Sequence, residues 1–101
     1  MWQTIFKSFR EDPRDVRTAP LHGDGKWFFV YTEADHLYVI GSRAHQPSCC
    51  ISGRRKLNEK ECDVLLEFYH RRKAGQMISQ EAGGKTQNQV YWYGIFAALG
   101  L

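Results

Sequence analysis

The side chains that would have to supply a nucleophile or a metal site are three cysteines, Cys49, Cys50 and Cys62, and four histidines, His22, His36, His45 and His70. Cys49 or Cys50 with His36 or His45 is the combination that fits a thiol activated by an imidazole. Its spacing carries no information, since any chain of this composition offers such pairs, and no nucleophile elbow accompanies it. A zinc site wants four ligands in two closely spaced pairs. His45 with Cys49 and Cys50 offers one side of such a site, and adjacent cysteines on a strand project to opposite faces. Gly83-Gly84-Lys85-Thr86 resembles the end of a phosphate-cradling loop but lacks the first glycine and the strand before it. The sequence therefore predicts no metal, no cofactor and no catalytic set. Three cysteines cannot all pair, so a disulfide scaffold is not expected either.

Binding chemistry is better represented. The 101 residues include three Trp, five Tyr and six Phe, each of which buries on the order of 150–250 Å² when covered. Trp27, Phe29, Phe68 and Phe96 are expected to serve the core. Tyr91-Trp92-Tyr93 are different, because consecutive residues of a helix point about 100° apart and cannot all face one sheet. The leading expectation is a homodimer through this C-terminal helix, and the second is an aromatic-lined pocket for a small apolar or cationic ligand. Trp27, Tyr31 and Tyr38 are further candidates for that interface or pocket.

Charge offers the alternative. The net charge of +3 arises entirely in the second half, where residues 51–101 hold eight basic and five acidic side chains. Two triplets dominate it, Arg54-Arg55-Lys56 and Arg71-Arg72-Lys73, and both could contact the phosphates of a nucleic acid. Against this stand the mild total charge and the preference of cations for a helix C-terminus, which explains Arg71, Arg72 and Lys73 on its own. A helix-turn-helix reading with Gly84 in the turn fails on Gln80, where a small residue is wanted, and on the apolar helix that would have to read bases.

The elements that must position these residues are legible in part. Trp2, Ile5, Phe6 and Phe9 have the spacing of one helical face, with a strand as the competing reading. Residues 10–25, with two prolines and two glycines, read as an irregular connection with little to bury. Trp27–Tyr31 and His36–Ile40 are rich in aromatic and β-branched residues and predict an antiparallel hairpin joined by residues 32–35. Ser48–Ser52 is a candidate third strand. Asn58 with Glu61 forms a capping-box pattern, which starts a helix over 59–73 whose buried stripe is Cys62, Leu65, Leu66, Phe68 and Tyr69. Thr86 with Gln89 repeats the pattern for a last helix over 87–99.

The fold class expected is thus α+β over a single domain, 1–101. A small, mainly antiparallel three-stranded sheet is packed by two C-terminal helices, with an N-terminal amphipathic segment alongside. No run of about 20 apolar residues predicts a membrane span, and no secretory pattern opens the chain, so a cytoplasmic location is the default expectation. The function expected is a non-catalytic binding module.

Overall fold

The hairpin forms as its composition requires. β2 (Trp27–Glu33) and β3 (His36–Gly41) pair antiparallel, with Phe29 opposite Ile40, Tyr31 opposite Tyr38 and Glu33 opposite His36. Only Ala34 and Asp35 separate the strands, and Ala34 adopts φ 52°, the left-handed conformation that lets a two-residue turn follow the strand twist. Alternation then divides the side chains. Phe28, Val30, Leu37 and Val39 are fully buried on one face, while Trp27, Phe29, Tyr31, Tyr38 and Ile40 share the other.

The computed structural model describes residues 1–20, 23–75 and 88–101. Within them the sheet has four strands, in the order β1 (Arg14–Arg17), β2, β3 and β4 (Arg55–Leu57) and antiparallel throughout, rather than the three expected. β1 (Arg14–Arg17) lies in the stretch read as irregular. Its one apolar residue, Val16, is 2% exposed and sits opposite Phe28. A single inward side chain gives no alternation to detect. The expected strand at Ser48–Ser52 is replaced by one parallel bridge, in which the Trp27 N–H donates to Pro47 O and the Cys49 N–H to Trp27 O. The edge strand is β4 (Arg55–Leu57), which pairs with β3 and buries only Leu57. Part of the first basic triplet is therefore strand.

Three described helices cover the inner face. α1 (Trp2–Glu11) settles the N-terminal segment as helix, with Ile5 and Phe9 buried and Trp2 and Phe6 half-buried. α2 (Glu59–Lys73) has the expected bounds. The Asn58 N–H donates to Glu61 Oε1 at 3.0 Å, satisfying a donor that would otherwise have no partner at the helix start. Cys62, Leu65, Phe68 and Tyr69 are buried, Leu66 is half-buried, and Lys60, Asp63, Glu67 and His70 are exposed, as the pattern predicts.

α3 (Gln89–Ala98) begins later than expected, and Thr86, like the Gly83–Thr86 run, falls outside the described residues. Trp92, Tyr93, Ile95 and Phe96 are all buried within one chain. Trp2 of α1 stands 6.1 Å from Trp92, Tyr69 of α2 lies 5.7 Å from Tyr93 and 5.5 Å from Phe96, and Phe28 of the sheet meets Tyr91 edge-on at 5.3 Å. Gly94 permits this approach, since a Cβ there would come within 2.7 Å of Arg17 O and 3.1 Å of the Phe28 ring. The apolar helix is thus covered on several sides without a second copy, and its exposed residues are Val90, Ala97 and Ala98. Among the described residues no helix is long and apolar enough to cross a membrane.

Candidate functional site

The outer face of the sheet concentrates the side chains suited to binding. Trp27, Phe29 and Tyr31 recur at every second position of β2, and β3 adds His36, Tyr38 and Ile40 beside them. None of these six belongs to the contiguous buried cluster, and no described helix or strand lies over them. The expectation that Trp27 and Phe29 serve that core is therefore corrected: Phe68 and Phe96 do, and the two strand residues face the opposite way. Odd and even positions of β2 separate them.

Four of these rings, Phe29, Tyr31, Tyr38 and His36, form a connected layer. Phe29 and Tyr31 stack at 6.2 Å with 30° between planes, Tyr31 and Tyr38 at 5.6 Å and 29°, and His36 meets Tyr38 edge-on at 6.0 Å. Trp27 is stacked by His45 at 3.9 Å and 17°. Guanidinium groups take the place of a second layer of structure: Arg54 lies 3.9 Å from the centre of Tyr38, Arg43 5.0 Å from Phe29 and Arg17 5.8 Å from Trp27. Lys56, opposite Tyr38 in register, adds a fourth cation. Each contact of this kind is worth about 0.5–1 kcal/mol at an exposed site. That is weak enough for a ligand to displace.

The acidic groups nearby are largely engaged. Glu33 pairs with Arg54, and Asp24 lies 3.9 Å from Arg17. Asp15 accepts from the Ser42 hydroxyl at 2.7 Å, from the N–H groups of Arg43, Ala44 and His45 at 2.9, 2.8 and 3.1 Å, and from His45 Nδ1 at 2.7 Å. Its side chain is 3% exposed. Burial alone would raise its pKa, but the bonds from Arg43, His45, Ser42 and Ala44 outweigh that and hold the carboxyl well below the usual carboxylate range.

The basic triplets separate in space. Arg54 and Lys56 belong to the outer face, whereas Arg55 turns to the helical side, donates to Asn88 Oδ1 at 3.1 Å and lies 5.8 Å from the centre of Tyr91. On that side Arg72 donates to Ala19 O at 2.6 Å and packs over Tyr93, Lys73 donates to Leu101 O at 3.2 Å, and Arg71 covers Phe68. Of the aromatic candidates, Trp27, Tyr31 and Tyr38 come together, while Tyr91, Trp92 and Tyr93 lie across the sheet from them. Phe29, Arg17, Arg43, His36, His45 and Asp15 complete the outer face without having been singled out for it. For Phe29 the two-residue period of β2 was the available signal; for Asp15, which meets its partners across 27–30 residues of chain, there was none.

The thiols are placed differently. Cys62 is fully buried, and burial pushes its pKa up to about 11. Cys49 is half-buried, with its pKa raised by the same cause, and Cys50 is exposed. Among the described residues no three His, Cys, Asp or Glu side chains converge as metal ligands. A cavity of about 440 Å³ opens on the helical side, lined by Pro20, Lys26, Cys49, Arg72, Val90 and Tyr93 among others. Compared with family models, with curated proteins and with solved structures, the chain finds no match in any of the three.

Proposed function

We propose that the protein is a non-catalytic binding module whose outer sheet face receives single-stranded nucleic acid. One observation carries this reading: a row of stacked rings, Phe29, Tyr31 and Tyr38 with Trp27 at its end, lies on the sheet face opposite the contiguous buried cluster and is interleaved with Arg17, Arg43, Arg54 and Lys56. Bases stack on such rings whatever their sequence, at about 1–3 kcal/mol each, and the cations meet the phosphates. Rings at alternate positions of a strand are spaced by about 6.6 Å, roughly twice the 3.4 Å rise of a stacked duplex strand. A strand whose bases are already pulled apart fits that interval, and a duplex does not.

Fluorescence anisotropy with labelled oligodeoxythymidine and a labelled duplex at low salt tests the proposal. The single strand is expected to bind more tightly, and Phe29→Ala with Tyr31→Ala to weaken it by at least about tenfold. No binding, or binding indifferent to those changes, overturns it. Light scattering on the same samples examines the other occupant expected from the sequence, a second copy of the chain. A dimer lost in the Phe29→Ala/Tyr31→Ala variant would reassign the face to self-association.

A small organic ligand is the second reading. It is favoured by the cavity beside Tyr93, whose hydroxyl is buried with no hydrogen-bond partner among the described residues. A thermal-shift screen of metabolites tests it, since a specific ligand stabilises the folded state; a screen with no stabilising compound counts against it.

A further inference from the structure

We infer that Asp15 is a positioning residue of this face, which holds His45 flat on Trp27 and so builds a two-ring step for an additional base; the inference rests on the nucleic-acid reading above. The Asp15 carboxylate receives five hydrogen bonds and its side chain is 3% exposed. As an acceptor it requires Nδ1 of His45 to carry the proton, which fixes the ring's tautomer and its plane. That plane lies 17° from the Trp27 indole at 3.9 Å, with the His45 side chain 48% exposed. One side of the imidazole is therefore taken by Trp27 and the other is open to a ligand.

Closing the turn does not require the imidazole. The Ser42 oxygen already accepts the His45 N–H at 2.9 Å, and the Ser42 N–H donates to Ser48 Oγ at 2.8 Å. The backbone of the turn is secured, and the bond from Asp15 to the ring adds orientation. A histidine on an exposed turn would otherwise lose rotamer freedom when a base stacked on it. Here that ordering is complete before binding. Arg17 and Arg43, which approach Trp27 and Phe29, stand near the step as phosphate partners.

The test uses the full chain, labelled oligodeoxythymidine at low salt, and the variants Asp15→Asn, His45→Ala, His45→Phe and Asp15→Asn/His45→Phe. Asp15→Asn and His45→Ala are each expected to weaken binding by about fivefold or more, the lower bound for one stacked base. His45→Phe stacks without needing a hydrogen bond, so it is expected to bind like the wild type, and adding Asp15→Asn to it to cost nothing further. Equal losses from Asp15→Asn in both backgrounds would mean that Asp15 acts through the turn, and would overturn the inference. So would a His45→Ala variant that binds normally, which is informative even where Asp15→Asn fails to fold. Wild-type binding that ignores all four variants overturns this inference alone, whereas no wild-type binding overturns it together with the reading of the face.

Discussion

The guanidinium of Arg54 lies 3.9 Å from the centre of the Tyr38 ring and is paired at the same time with the carboxylate of Glu33. One exposed cation thus covers an aromatic ring and neutralises an acid. Tyr38 is 9% exposed beneath it, although no described element lies over that face. A nucleic-acid strand would compete for both partners of Arg54, offering a base to the ring and a phosphate to the cation.

Glu33→Gln removes the competing anion. Exposed ion pairs are worth about 0.2–1 kcal/mol, so affinity for a single strand is expected to rise about two- to threefold at low salt. The gain should vanish as salt screens the charges. Anisotropy titrations at two ionic strengths check this, and weaker binding by the variant would contradict it.

The two basic triplets should behave differently in a salt titration. For single strands the slope of log K against log salt changes by about 0.7 for each phosphate contact. Arg54→Gln and Lys56→Gln are each expected to flatten the slope by about that amount. Replacing Arg71 and Lys73, which lie on the helical side, is expected to leave it unchanged. An equal response from both pairs would place the phosphate path elsewhere.

Acid should expose the role of Asp15 in stability. Its pKa is depressed in the folded state, so the stability it contributes is present above the unfolded value of about 3.9 and is lost as pH falls through the folded value. Wild-type stability is expected to decline as pH is lowered past about 4. Asp15→Asn should be less stable by about 2 kcal/mol at neutral pH, and should lose less on acidification. Urea unfolding between neutral and acid pH reads both, and parallel curves for the two proteins would count against the assignment.

Gly94→Ala sets helix propensity against packing. Alanine favours a helix over glycine by about 1 kcal/mol, but its Cβ would lie 2.7 Å from Arg17 O, a backbone atom of β1. Overpacking of this kind costs about 1–3 kcal/mol. A net loss of about 1 kcal/mol is expected, or about 4–8 °C in Tm for a domain of this size. A more stable variant would show that α3 can move away from the sheet.

What could be read from the sequence follows the range of the interactions involved. α2 announced itself because Asn58, Glu61 and its apolar stripe lie within a few turns of one another. The hairpin did so because each strand supplies its own ring-rich run. β1 and β4 did not, since each offers a single buried side chain, Val16 or Leu57, among charges. The apolar character of α3 was plain, but its covering by Trp2, Tyr69 and Phe28 depends on residues brought together by the fold. Of the proposed binding face, Trp27, Tyr31, Tyr38, Arg54 and Lys56 are named by the sequence, though in two separate hypotheses. Only the register of β2 with β3 and β3 with β4, with Arg54 seated on the Tyr38 ring, placed them side by side.

The two short outer strands have a consequence for how molecules of this chain meet. Trp27-Phe28-Phe29-Val30-Tyr31 is a five-residue window of high β-propensity with no internal charge, the kind of segment that templates cross-β growth when its backbone is free. Here residues 28–30 of β2 are paired with both β1 and β3, Trp27 with β1 and the segment at Ser48, and Tyr31 with β3, so most of the window is enclosed. The margins left open belong to Arg14-Asp15-Val16-Arg17, preceded by Pro13, and to Arg55-Lys56-Leu57. Brevity, proline and charged side chains are the devices that discourage edge-to-edge joining. The charges that hid these strands from pattern reading thus act as gatekeepers of the segment that carries the rings.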